Sequence, residues 1–347
     1  MRRLRVMIVE DSRVIREFLT HVIGRDPRLE IVAAVDAGEK ALRVLREIKP
    51  DVISMDIRLP GIDGFEATRQ IMAVRPTPIV VVAGNVESGE SRISIEALRA
   101  GALAVLEKPA GSSGQAYEAF AERLCTQLAI MSQVKVITQR TVKRDAADES
   151  ITGIPTSMVS LTACQAVGIV ASTGGPSALV EITRNLTREF PVPILLVQHM
   201  TSSFVKAFID WMDDMTDLHV VEAHDGQKPE PGHIYSAPAD RHLALRGRQL
   251  RLEDTPLVCL QRPSGTVLFN SMAESLGPAA VGVLLTGMGE DGAEGLLAMR
   301  EAGGHTIAED QSTAVVYGMP GAAAARGAVA ESLPLPMIAP RLRQIVR

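Results

Sequence analysis

Three residues of this 347-residue chain, Ser172, His199 and Asp291, have the types that nucleophilic acyl transfer needs. Ser172 closes the apolar run in GIVASTGGPSAL (168–179), His199 follows ILLVQ, and Asp291 lies in TGMGEDG just after VGVLL. A serine hydroxyl is a poor nucleophile until a base takes its proton, and a histidine base needs a carboxylate to fix its tautomer. Gly174 and Gly175, opening a helix, would expose backbone N–H groups to a developing oxyanion. Taken alone, GIVASTGG suits a phosphate cradle equally well. A dinucleotide fingerprint, however, wants an acidic residue past the next strand, where His199 stands instead. A lone histidine after a strand is more often structural, and a lone aspartate in a glycine-rich loop is usually a turn residue. Three such residues, each past the end of an expected strand, favour chemistry. Their order, Ser-His-Asp, differs from the hydrolase orders of the common folds, and ASTGG lacks the GxSxG elbow of ordinary esterases.

A second group gathers nearer the amino terminus. Glu10 and Asp11 follow LRVMIV, Asp56 follows DVISM, and Lys108 follows LAVLE. Carboxylates converging in one crevice repel one another unless a cation sits among them, and an oxygen-only donor set suits Mg²⁺ and phosphate chemistry. Each acidic residue could merely cap a helix; four charged residues at successive strand ends argue otherwise.

The elements that must position these residues read clearly. Short Val/Ile-rich runs at 4–9, 31–35, 51–55, 78–83 and 103–107 alternate with segments apolar at three- and four-residue spacing. That alternation predicts a doubly wound (βα)5 sheet, whose strand carboxyl ends share one edge. Residues 115–136 continue as a helix, and 138–163 lose periodicity and become a polar connector or an inserted loop. Apolar runs return at 166–170, 194–197, 233–237, 281–285 and 305–309, with a hairpin around Gly247 in 244–252. They predict a second α/β sheet, mostly parallel with some antiparallel edge. The expected domains are 1–125, a helix extension and linker at 126–163, and 164–347.

Composition narrows the classes further. A formal net charge of −5 leaves no electrostatic footprint for nucleic acid. Three scattered cysteines without CxxC spacing argue for a reducing compartment and against a disulfide or zinc framework. Charge appears within the first residues, and no apolar stretch approaches the roughly eighteen residues of a membrane helix. A cytoplasmic monomer without membrane insertion is expected. Aromatic residues are 3% of the chain, so its cores must be aliphatic.

Residues 3–125 resemble the receiver domain of two-component response regulators, through IVEDS, MDIRLPGIDGFE (55–66) and EKPA (107–110). The resemblance implies that Asp56 accepts a phosphoryl group, that Glu10 and Asp11 help it hold Mg²⁺, and that Lys108 contacts the phosphoryl group. It allows a cis bond before Pro109. Two positions depart from the pattern: Ala83 stands where a Ser or Thr usually ends the fourth strand, and Val105 where an aromatic usually switches rotamer.

Residues 164–347 resemble the CheB family of chemotaxis protein-glutamate methylesterases, through IVASTGGP, LLVQHM, HIYSAPADRHL, LLTGMGEDGAEGL and AEDQSTAVVYGMPGAA. One departure is Val170, where that family usually has glycine. By the resemblance Ser172 is the nucleophile, His199 the base and Asp291 its orienting partner, with Thr173 and the Met288 N–H in the oxyanion hole. It implies hydrolysis of glutamyl methyl esters, and deamidation of certain glutamines, on chemoreceptor cytoplasmic helices, with no cofactor for that chemistry. It also implies a chemosensory histidine kinase as phosphodonor and a receiver that covers the esterase cleft. The other class to weigh is a non-catalytic response regulator that acts by docking.

Overall fold

In a computed structural model, residues 2–83, 96–97, 100–108, 114–132, 164–200 and 202–346 are described. The expected bond before Pro109 and the connector at 138–163 lie outside them.

Five strands build the amino-terminal sheet: β1 (Leu4–Val9), β2 (Leu29–Val35), β3 (Val52–Met55), β4 (Ile79–Ala83) and β5 (Ala104–Glu107). They are parallel, in the order β2-β1-β3-β4-β5. Both faces are buried: Met7 and Val9 enter one core cluster, Val6 and Ile8 the other. Period-two alternation with two covered faces is why β1 reads as continuous hydrophobic sequence. Helices α1 (Arg13–Arg25), α2 (Gly38–Ile48), α3 (Gly64–Val74) and α4 (Gly114–Met131) belong to this domain. Leu128 and Met131 still bury into its core, so the packed body reaches past residue 125.

The carboxy-terminal sheet has seven strands: β6 (Ala166–Ala171), β7 (Ile194–Gln198), β8 (His219–Glu222), β9 (His233–Ser236), β12 (Ala280–Leu284), β13 (His305–Glu309) and β14 (Glu331–Leu333). Their order is β14-β13-β12-β6-β7-β9-β8, and every pair is parallel. The hairpin β10 (His242–Arg246) and β11 (Gln249–Glu253) forms its own antiparallel sheet and is not the antiparallel edge the sequence suggested. Strands β8 and β14 were not anticipated; they are short and only partly buried. Here too the core is aliphatic and two-faced, with Val167, Ile169 and Ala171 on one side and Val170 on the other.

In both sheets the strand order reverses beside the first strand, between β1 and β3 and between β6 and β12. An open parallel sheet leaves a crevice at such a switch point, outside the strand carboxyl ends. Glu10, Asp11 and Asp56 flank the first crevice, Ser172 and Asp291 the second.

Candidate active site

Ser172 is fixed through its backbone. Its N–H donates to the Thr286 carbonyl at 3.0 Å, and its carbonyl accepts from the Gly175 N–H and Gln198 Nε2, both at 2.9 Å. Two glycines permit the turn that follows. Gly174 has φ +82°, and a Cβ there would lie 2.6 Å from Cβ of Val315. A Cβ on Gly175, the first residue of α5 (Gly175–Thr183), would strike the Gln198 amide. At the end of the neighbouring strand, His199 donates its N–H to the Ala171 carbonyl at 3.0 Å. Ser172, Thr173 and His199 line one cavity.

The His199 side chain is 6% exposed, and its Nε2 lies 2.8 Å from Oδ2 of Asp291. With Nε2 bonded to the carboxylate, Nδ1 is the ring nitrogen left for a proton from outside. Asp291, itself buried, takes three further hydrogen bonds from the amino end of α6 (Gly265–Leu276). Ser264 Oγ donates at 2.6 Å, the Gly265 N–H at 2.6 Å and the Thr266 N–H at 3.2 Å. Burial alone would raise the Asp291 pKa. The bond and charge of His199, with Ser264 and Gly265, outweigh it and hold the carboxyl below its ordinary value.

Sequence reading missed this helix start, although Ser264 ahead of the apolar spacing Leu268, Phe269 and Met272 is an N-cap signal. It also explains Val170. A Cβ on Gly265 would collide with Cγ1 of Val170, so the larger strand residue is matched by a glycine where the helix begins.

Thr286, Gly287 and Met288 close the third side. Thr286 Oγ1 donates to the Thr173 carbonyl at 2.8 Å, and the Gly287 carbonyl accepts from the Gly318 and Met319 N–H groups at 3.1 and 2.9 Å. A Cβ on Gly287 would come within 2.7 Å of Ser172 Cβ, so this loop lies directly against the serine. Among the described residues, the N–H groups of Thr173 and Met288 have no protein acceptor. Donors held open on a clamped backbone are what an oxyanion site requires.

Glu309, at the end of β13, was also missed. It is 1% exposed, and its Oε2 accepts the Thr286 N–H at 2.9 Å. Burial pushes its carboxyl up to about 7 from an ordinary 4.5, against the bond from Thr286. A raised acid keeps its proton in the folded state after the unfolded chain has lost it, so stability falls as pH rises from 4.5 to about 7. Glu309→Gln keeps an acceptor for Thr286 and removes that penalty. Its melting temperature should exceed the parent's by several degrees near pH 8, and by much less near pH 5. Equal differences at both pH values would show that Glu309 is not protonated in the folded protein.

The amino-terminal cluster also assembles. Ligand atoms of Glu10, Asp11 and Asp56 lie within 4.8 Å of one another. Lys108 Nζ reaches both Glu10 Oε2 and Asp56 Oδ1 at 2.8 Å. Burial raises the Glu10 pKa, and Asp56 adds to that shift while Lys108 opposes it. Lys108 is raised despite its own burial, because Asp56 and Glu10 surround it. A single lysine leaves three carboxylates under-neutralised, which fits a hard divalent cation.

The two halves meet over the serine. The same cavity is walled by Leu103, Ala104, Val105 and Leu106 and by Gln127 of α4. Val315 packs against the amino-terminal core cluster and also abuts Gly174. Val105, one of the two departures from the receiver pattern, therefore faces the cleft. Ala83 is buried at the end of β4, and its carbonyl accepts the Lys108 N–H at 2.7 Å.

Fold and site together define a response regulator whose output domain is built as a serine hydrolase. The CheB methylesterase family model matches residues 167–342, and the response regulator receiver domain model matches residues 6–115. A protein-glutamate methylesterase/protein-glutamine glutaminase 2 from Paramagnetospirillum magneticum is 52% identical, covering 99% of this chain and 98% of its own. One from Nitrosospira multiformis is 41% identical over 99% of this chain and 97% of its own. The crystal structure of the Thermotoga maritima CheB methylesterase catalytic domain superposes with a TM-score of 0.51 at 36% identity, over 53% of this chain and 100% of that one. The chain belongs to the CheB family of protein-glutamate methylesterases. Among the described residues, no helix is long and apolar enough to cross a membrane.

Proposed function

We propose that Ser172, His199 and Asp291 hydrolyse glutamyl methyl esters on the cytoplasmic helices of chemoreceptors. The buried 2.8 Å bond between His199 and Asp291, beside the cavity that Ser172 shares, carries this reading. His199 Nδ1 takes the Ser172 proton as Oγ attacks the ester carbonyl. The N–H groups of Thr173 and Met288 hold the oxyanion. His199 returns the proton to the departing methoxide, which leaves as methanol. Water, activated by the same base, then releases the glutamate. A glutamine carboxamide follows the same path with ammonia as leaving group. Methanol release from methylated receptor membranes tests the proposal, and a protein that binds receptor without releasing methanol would be a docking regulator instead.

Residues 1–125, with the rest of α4 to Met131 packed on their core, form the receiver, the residues from there to 163 the linker, and 164–347 the catalytic domain of a cytoplasmic monomer. Asp56 takes a phosphoryl group from a chemosensory histidine kinase. Glu10, Asp11 and Asp56 would hold Mg²⁺, which neutralises carboxylate and phosphoryl charge at that crevice; the esterase needs no cofactor. The receiver wall over Ser172 restrains the enzyme, and phosphorylation at Asp56 loosens it.

The two departures weaken that switch. Ala83 has no hydroxyl to follow the phosphoryl group and Val105 no ring to rotate, so the two receiver states differ less in how they bind it. Phosphodonor should raise the esterase rate less than deletion of residues 1–140 does, and Ala83→Thr should recover part of the response. A phosphorylated full-length protein that reaches the truncated enzyme's rate would overturn this.

A further inference from the structure

The segment after β11, residues 254–262, is built to hold an apolar tip a few residues from Ser264, which clamps Asp291. Val258 and Gln261 exchange backbone hydrogen bonds at 3.1 and 2.9 Å, and the two residues between them, Cys259 and Leu260, have φ of +51° and +62°. A two-residue turn with both centres left-handed ordinarily selects Asn, Asp or Gly. Strain of this kind persists only where the surroundings enforce it.

Here they do. Arg262 Nη1 bonds Asp254 Oδ1 at 2.8 Å and the Thr255 carbonyl at 3.0 Å. The fully buried His242 accepts the Ser264 N–H on Nδ1 and faces the Pro256 carbonyl with Nε2, both at 3.1 Å. Those two bonds require the neutral ring protonated at Nε2. The base of the segment is thus tied to Ser264, which holds Asp291.

What the turn presents is hydrophobic. Leu260 is 86% exposed and Leu257 57%. Among the described residues, five large hydrophobic side chains are exposed, and three of them, Leu257, Leu260 and Met288, belong to this segment and the oxyanion loop. These three stay exposed while the receiver walls the side of the cleft lined by Thr173 and Phe204.

We propose that Leu260, with Leu257 and Met288, docks the α-helical segment of the protein substrate that carries the esterified glutamate. The inference rests on the esterase reading above. A glutamyl ester reaches Ser172 from a backbone that stays outside the cleft, so the carrier helix must lie across the rim. On a helix, residues three and four apart share a face. The tip therefore selects helices with an apolar residue one turn from the ester.

Leu260→Asn tests this, because asparagine tolerates the left-handed backbone and keeps the turn. Its KM for methylated receptor membranes should rise about tenfold, as expected for one lost apolar anchor, with kcat within about twofold. Hydrolysis of a blocked glutamate γ-methyl ester should not change. An unchanged receptor KM would overturn the docking role alone. Equal losses on both substrates would overturn it in favour of a structural role at Asp291. A parent enzyme inert on both esters would overturn the esterase reading and this inference with it.

Discussion

Ser172→Ala is expected to lower methanol release by about four to six orders of magnitude, the range seen when a triad nucleophile is removed elsewhere. The loss should be confined to chemistry. Ser172 is tied into the fold by its N–H and carbonyl, through Thr286, Gly175 and Gln198, and none of those bonds involves Oγ. Melting temperature and phosphorylation of Asp56 should therefore match the parent. The donors at Thr173 and Met288 remain, so a small rate above water should survive. Near-normal turnover by the folded variant would sink the proposed mechanism.

Asp291→Asn should cost about 10⁴ in turnover, the scale set by a wrongly held imidazole tautomer. Unlike the serine change, it should also destabilise. The two Asp291 oxygens receive donors from Ser264, Gly265, Thr266 and His199. An asparagine amide offers one oxygen and one NH₂ group. It must therefore place its NH₂ either where Oδ1 faces Ser264 and the Thr266 N–H, or where Oδ2 faces the Gly265 N–H and His199. Either way a backbone N–H at the amino end of α6 is buried without its acceptor, at about 1–3 kcal/mol. The second placement also reverses the ring's tautomer. The folded carboxyl titrates below its unfolded value, so its contribution is present above about pH 4 and fades as pH falls through the lower folded pKa. Thermal melts should show the Asn deficit at neutral pH and a smaller one in strong acid. A deficit that does not depend on pH would mean the carboxylate charge contributes nothing.

Much of this site was legible because parallel strands leave plain marks. Ser172, His199, Asp291 and Asp56 each follow a run of Val, Ile or Leu, and strand ends gather at one sheet edge whatever their distance in sequence. The residues that hold Asp291 left weaker marks. Ser264 announces a helix start, but nothing in PSGTVLF says that its hydroxyl meets a carboxylate beyond the next strand. Glu309 reads as one more acid in AEDQST, and only its burial gives it a role. Strands β8 and β14 escaped because short, half-exposed strands carry no long apolar run. The hairpin was read correctly from Gly247, but its separation from the large sheet depends on packing that local sequence does not encode.

The pairing of β6 with β12 also constrains how the enzyme comes into being. The strand that ends just before Ser172 lies between β7 and β12, and β12 begins only at Ala280. On the ribosome the serine is therefore made long before the loop at 286–288 and the carboxylate at Asp291. Such long-range parallel pairing is slow to form and leaves an apolar strand edge open meanwhile. The receiver, finished first, can fold while this edge waits, and its Leu103–Leu106 segment offers the nascent domain an apolar surface. Ester-cleaving power would then arise abruptly at the end of synthesis, in a molecule whose brake is already in place.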